Sequence, residues 1–384
     1  MFYSIIWVAF YLAVIDVMVN IVFQFPKEPE KTRPSFLQGY FEYGRSVEGK
    51  LDRLIRRGND QSAPILGYGW LENKRYESLP KKAGEGEVLV AVYGMSHTKI
   101  LGKSIAKIDR KYVIRNITGP GVSPGWSFAA YRRDKNLHDA KVVILGIMTD
   151  NIPFISATSG ATSYFDMGHP YTFPRYFVQN GLLKEIYPPF YTEEGFRDYL
   201  YNPIKWAEYR DWLSKNDKFY NAFLFKRSLI DKSAVFRVLR RSYSQKAKEK
   251  IINHIYTKDG FNNRSEEIVA LRKIVQTFAK EVREDERLPI VYIVNNQGRG
   301  DHLYRSLQPV LDAYNIPFLS THIICPPDDP RVFLVINSHF IPSKDIELAM
   351  KITKIIEGWE REGLRGVAHV EGGLAPTVAK ILPH

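Results

Sequence analysis

Apolar residues along the chain fall into three successive patterns. Residues 5–25 form an apolar run of 21 positions without Lys or Arg, and it stops at Pro26. That length suits one transmembrane helix. Residues 35–57 carry apolar side chains at helical spacing, which predicts a juxtamembrane helix, and a polar, glycine-bearing stretch then runs to about residue 86. From residue 87 the pattern changes to short β-branched runs at 88–94, 112–117, 141–148, 289–296 and 332–337. Each reads as a strand buried on both faces. Helical spacing follows the first run to residue 108 and recurs near 128–137, 302–314 and 344–362. Alternation of strand and helix predicts an α/β domain built on a parallel sheet with right-handed crossovers.

The alternation breaks between residues 152 and 287. This segment is rich in Tyr, Phe and Lys, starts irregularly and turns helical around residues 230–284. It reads as a large, mostly helical insertion at the carboxyl edge of the sheet, where long loops carry binding function. The expected organisation is an anchor at 1–26, a juxtamembrane helix and linker at 27–86, and one α/β domain at 87–384.

Composition adds constraints. With 384 residues, 45% hydrophobic and 25% charged, the chain supports a sizeable core. A net charge of +12 invites a nucleic-acid partner, but the basic residues are scattered and no nucleic-acid-binding motif accompanies them, so none is expected. Cys325, the only cysteine, has no thiol partner for a disulfide or a metal site. No cofactor and no metal are expected.

The apolar run at residues 5–25 lacks the basic n-region and the small-x-small site of a cleaved signal peptide, so it reads as a retained single-pass anchor. Lys27, Lys31 and Arg33 follow it and favour a cytoplasmic domain. Long domains translocate largely regardless of such charge, and the large domain is expected outside the cytoplasm. Within the run, Asp16, Asn20 and Gln24 recur every four residues and share one helix face. A carboxylate at mid-span is costly, so the Asp16 and Asn20 face is expected to meet a partner helix.

The candidate chemistry sits where strands end. Four such ends carry polar or glycine-rich segments: Gly94-Met95-Ser96, and residues 116–126, 145–151 and 336–340. Ligands of open α/β sheets bind at the carboxyl ends of strands, so Ser96 is a candidate nucleophile, against the alternative of a helix N-cap. In order and placement these blocks resemble the SGNH hydrolases, the GDSL-type esterases and acyl hydrolases. The resemblance covers residues 88–167 and 289–349.

It implies an α/β/α sandwich with a flavodoxin-like parallel sheet. Ser96 matches the nucleophile, and its backbone N–H matches one oxyanion donor. Gly121 matches the second-block glycine, Asn151 stands for the side-chain amide donor of a third block that Gly146 opens, and His339 matches the general base. The third block departs from the family spacing. So does the last, where Asn337 stands in place of the aspartate that orients the histidine. A neutral amide orients an imidazole but lends no charge to the imidazolium. Three alternatives follow: a weakened Ser–His dyad, an acid from elsewhere such as Asp328 or Asp329, or a site that hydrolyses nothing. His97, next to Ser96, is expected to point away from it. Arg175, amid the aromatics of residues 171–177, either contacts a carbohydrate or acyl substrate or sits over a small satellite core. The expected function is that of a membrane-anchored esterase or acyltransferase acting on acyl groups of a surface glycan or lipid-linked sugar. The alternative is a silent SGNH domain that binds polysaccharide or scaffolds an envelope assembly.

Overall fold

The computed structural model describes residues 2–29, 31–54, 69–335 and 339–362, and the chain divides into two compact units. One unit comprises residues 71–155, 176–185 and 254–384, and the other residues 1–70, 156–175 and 186–253.

The first unit is built on five parallel strands: β1 (Val88–Gly94), β2 (Tyr112–Thr118), β3 (Val142–Met148), β4 (Leu288–Val294) and β5 (Phe318–Ser320). Their order in the sheet is β2-β1-β3-β4-β5. This is a doubly wound order with its reversal between β1 and β3, and the crevice at such a reversal is where ligands settle. Five helices flank the sheet: α1 (Ser96–Ile108), α2 (Pro124–Asp134), α3 (Glu266–Glu284), α4 (His302–Ala313) and α5 (Pro342–Glu362). Helices α1 and α5 pack together, while α2 and α4 both pack on α3. Strands β3 and β4 are buried almost throughout, which is why their sequences read as continuous apolar runs.

Four of the five expected strands form as read. The fifth does not. Residues 332–337 were the longest apolar run near the C-terminus, but the described part folds back on itself: Leu334 N–H donates to the His339 carbonyl at 2.9 Å and Ile341 N–H to the Val332 carbonyl at 2.9 Å. These groups are thereby paired outside the sheet, and the three-residue run Phe318–Ser320 takes the edge position.

The second unit departs from the expected anchor, linker and insertion. Residues 46–54 pack with residues 206–240 rather than bridging two domains. The buried Asp231 carboxylate accepts from the Ser46 N–H and hydroxyl, both at 2.7 Å, and pairs with Arg240. Glu48 accepts from Trp206 Nε1 at 2.7 Å, from Arg210 at 2.9 Å and from the Arg227 N–H at 2.8 Å. An aromatic cluster of Trp70, Phe190, Phe196, Trp206 and Tyr209 fills the core beside these contacts. The expected insertion also ends early, since α3 belongs to the sheet-bearing unit.

At the N-terminus, the helix Phe2–Val22 is long and apolar enough to cross a membrane by length and composition. Its polar face meets the chain itself. Asp16 Oδ1 accepts from the Ser233 hydroxyl and the Val235 N–H, both at 2.9 Å, and Arg237 donates to Asn20 at 3.1 Å. Asp16 therefore caps the first turn of the helix Ala234–Ile255, a role that suits a carboxylate at a helix N-terminus.

The sheet-bearing unit carries one buried ion pair. Asp134, at the end of α2, is bonded by Arg115 from β2 at 2.6 and 2.8 Å and by the Tyr93 hydroxyl of β1 at 2.7 Å, with no exposure at either charged partner. Burial by itself would raise the Asp134 carboxyl, but the bonds from Arg115, His138 and Tyr93 hold it below the ordinary range. Arg115 spends its other donors on the carbonyls of Tyr76, Leu79 and Pro80. Asp134→Asn should cost about 3–5 kcal/mol, read by urea unfolding, because it leaves a guanidinium buried without its counter-charge. Arg115→Met combined with Asp134→Leu should cost less than the single change. A single variant as stable as wild type would show that the pair is hydrated.

Candidate active site

The site begins with a packing requirement at two glycines. A β-carbon on Gly94, the last residue of β1, would lie 2.3 Å from Thr98 Oγ1, and one on Gly146 of β3 would lie 1.9 Å from the same atom. Both strands give up side chains so that the first turn of α1 can sit directly on their ends. Gly146 thus serves helix packing.

With the helix placed there, Met95 takes the N-cap position with extended backbone and offers no side-chain cap bond. Ser96 becomes the first helical residue, so its hydroxyl is not consumed in capping. It lies 2.7 Å from Nε2 of His339. The first N–H groups of a helix have no partner within it, which leaves the Ser96 N–H in a position suited to an anion.

The neighbouring turn is tied to this point from both sides. The Gly119 N–H donates to the Gly94 carbonyl at 3.0 Å, and Asn151 Nδ2 donates to the Val122 carbonyl at 2.9 Å. Between them Gly121 has φ +58°, in the left-handed region that favours glycine. Ser123 then caps α2 by accepting from the Trp126 N–H. Ser96, Gly121, Asn151 and His339 are therefore elements of one connected edge around the β1/β3 reversal. The amide of Asn151 braces the glycine turn.

Other expected residues fall elsewhere. Asn337 lies outside the described residues. Asp329 accepts from the Arg331 N–H and pairs with its guanidinium, so its carboxylate is spent on the turn Pro330–Val332. Arg175 belongs to the second unit, where it donates to the Asn216 carbonyl at 3.0 Å, and the adjoining Tyr171 and Phe173 are buried as a satellite core. Cys325 is buried, and burial pushes its thiol up to about 12. Among the described residues, no group of three or more His, Cys, Asp or Glu is arranged to hold a metal ion.

Two features escape the sequence reading. His97 lies against the candidate base: its ring lies 4.8 Å from that of His339 and 5.1 Å from that of Phe340. Successive helical side chains diverge by about 100°, but the His339 imidazole is broad enough to meet both Ser96 and His97. At the end of β4, Asn296 accepts from the Asp150 N–H at 3.1 Å, and Asn295 donates to Ser320 Oγ, itself 2.7 Å from His322 Nδ1. Two consecutive asparagines after an apolar strand were the available signal.

His97 is 7% exposed, and burial, followed by the nearby His339, lowers its pKa from 6.5 to about 3. Folding thus penalises protonation of this ring. Its stabilising contribution is complete above pH 6.5 and is lost as pH falls towards 3. Relative to pH 8, wild type at pH 4 should lose on the order of 3 kcal/mol that His97→Phe retains, measured from urea midpoints. A pH-independent difference between the two proteins would mean that the ring tolerates charge where it sits.

No protein-family model matches the sequence, and no curated protein matches it. A solved structure shares 9% identity, covering 72% of this chain and 98% of its own length, with a TM-score of 0.33. A likeness at that level carries no argument, and the reading of the site rests on its geometry.

Proposed function

We propose that the chain is a serine esterase or acyltransferase of the SGNH type, held at a membrane by the helix Phe2–Val22 and acting on acyl groups of a surface glycan or a lipid-linked sugar. The observation that carries this reading is the 2.7 Å approach of Ser96 Oγ to His339 Nε2 at the start of a helix on the carboxyl edge of a parallel sheet. His339 takes the hydroxyl proton as Ser96 Oγ bonds to the ester carbonyl carbon. The carbonyl oxygen becomes an oxyanion facing the N–H groups of Ser96 and Gly121. The proton then passes from His339 to the departing alkoxide, leaving an acyl-serine. Water or a sugar hydroxyl attacks that acyl group, His339 receives the attacker's proton, and it returns this proton to Ser96 Oγ.

Asn337 favours a second reading, a silent SGNH domain that binds polysaccharide or scaffolds an envelope assembly, because no charge at that position supports the imidazolium. A fluorophosphonate probe separates the two. Labelling at Ser96, absent in Ser96→Ala, supports the enzyme, and His339→Ala should lower turnover of a short-chain aryl ester by about two to four orders of magnitude. An unlabelled, folded wild type would favour the silent domain.

Asn337→Asp tests the missing charge directly. In the enzyme reading it should raise kcat with little change in KM, since the added carboxylate acts on the charged intermediate rather than on substrate binding. An unchanged or reduced kcat would mean that His339 is supported from another quarter.

A further inference from the structure

An open cleft of about 510 Å³ lies along the C-terminal part of the helix Phe2–Val22. Four of its lining side chains are cationic, Arg45, Arg53, Lys232 and Arg237, against two carboxylates, Asp16 and Asp231. Both carboxylates are already engaged: Asp231 pairs with Arg240, which does not line the cleft, and Asp16 accepts the two bonds that cap the helix Ala234–Ile255. Arg45 and Arg53 share a single counter-ion, Glu42, and Lys232 forms no ion pair among the described residues. Burial and the neighbouring Arg45 lower the Arg237 guanidinium to about 10, as expected where positive groups crowd.

The surroundings indicate where an anion would come from. On the helix Ala234–Ile255, Phe236, Leu239 and Tyr243 recur at i, i+3 and i+7 and are 55%, 56% and 45% exposed, and nearby Leu229 is 78% exposed. Such a stripe is costly against water. The first turn of this helix is bonded to Asp16, six residues inside the end of the apolar helix at Val22, or about 9 Å along its axis. With Phe2–Val22 across a bilayer, the bonds to Asp16 hold the first turn of this helix, and Phe236 with it, at acyl-chain depth, while Arg53 lies over the ring of Phe25, beyond the end of the span.

We propose that this cleft binds the phosphate of an anionic membrane phospholipid, whose acyl chains lie along Phe236 and Leu239. Guanidinium groups suit a phosphate because their forked donors match two of its oxygens. Basic pockets beside a membrane helix hold lipid headgroups in this way. The assignment rests on the reading of Phe2–Val22 as a membrane span and is independent of the chemistry at Ser96.

The full chain carrying Ser96→Ala, so that no lipid can be hydrolysed, is reconstituted in nanodiscs of phosphatidylcholine with or without phosphatidylglycerol. Lipids retained after release are counted by native mass spectrometry. Preferential retention of phosphatidylglycerol is expected, weakened about tenfold or more by Arg53→Gln with Lys232→Gln and also weakened by Phe236→Ser with Leu239→Ser. Equal retention of both lipids would overturn the proposal. Displacement of the lipid by millimolar inorganic phosphate, with the Phe236/Leu239 variant unaffected, would reassign the cleft to a soluble anion. Extraction of the chain from membranes by alkaline carbonate would instead refute the span, and labelling of wild-type Ser96 stands apart from all of these results.

Discussion

Thr98 occupies the space that β-carbons on Gly94 and Gly146 would need, and the geometry of the candidate site follows from that contact. Two strands surrender side chains so that one helix turn can rest on their ends. The helix then begins at the sheet edge, and Ser96 emerges at its first position rather than one turn further out. A larger residue at either glycine would lift α1 from the sheet and move the Ser96 hydroxyl away from His339. Because the reversal of the sheet lies between β1 and β3, the two strands carrying these glycines are also the two that border the crevice.

The second unit answers to a different constraint, the need to satisfy polar groups taken out of water. Asp231, Glu48 and Asp217 each gather several donors from segments distant in sequence. Asp217 shows what this costs: burial raises its carboxyl above the ordinary range despite bonds from Thr158 and Thr162. Asp16 follows the same rule within an apolar helix, since it receives a hydroxyl and a backbone N–H from the chain's own Ser233 and Val235. The expectation of a partner helix at Asp16 and Asn20 arose from the cost of an isolated carboxylate, and these bonds reduce that cost without a second protein.

Legibility in the sequence tracked the range of the forces involved. Strands β1 to β4 could be read because a strand buried on both faces must be apolar throughout, a local signature. The edge strand could not: Phe318–Ser320 is only three residues long, whereas residues 332–337 look more strand-like, and there the Val332 carbonyl and the Leu334 N–H are bonded within their own loop. Ser96 and His339 were legible from their positions beside recognisable elements. Their approach across 243 positions, and the tilted ring contact of His97 with His339, are tertiary facts with no local trace. The packing of residues 46–54 against residues 206–240 depends on single polar contacts between distant segments, which periodicity cannot reveal.

His97 bears on how the Ser96–His339 pair would work as nucleophile and base. Any mechanism through His339 makes an imidazolium for part of the cycle, and a second positive charge with ring centres 4.8 Å apart would oppose it. Burial keeps His97 neutral down to about pH 3, so the neighbour supplies ring contact without repulsion. His339 meets His97 through a tilted ring contact and directs Nε2 at Ser96 Oγ at 2.7 Å. The pair is aligned in this arrangement, so a change in the charge around His339 would act on the rate of the chemical step and not on that alignment.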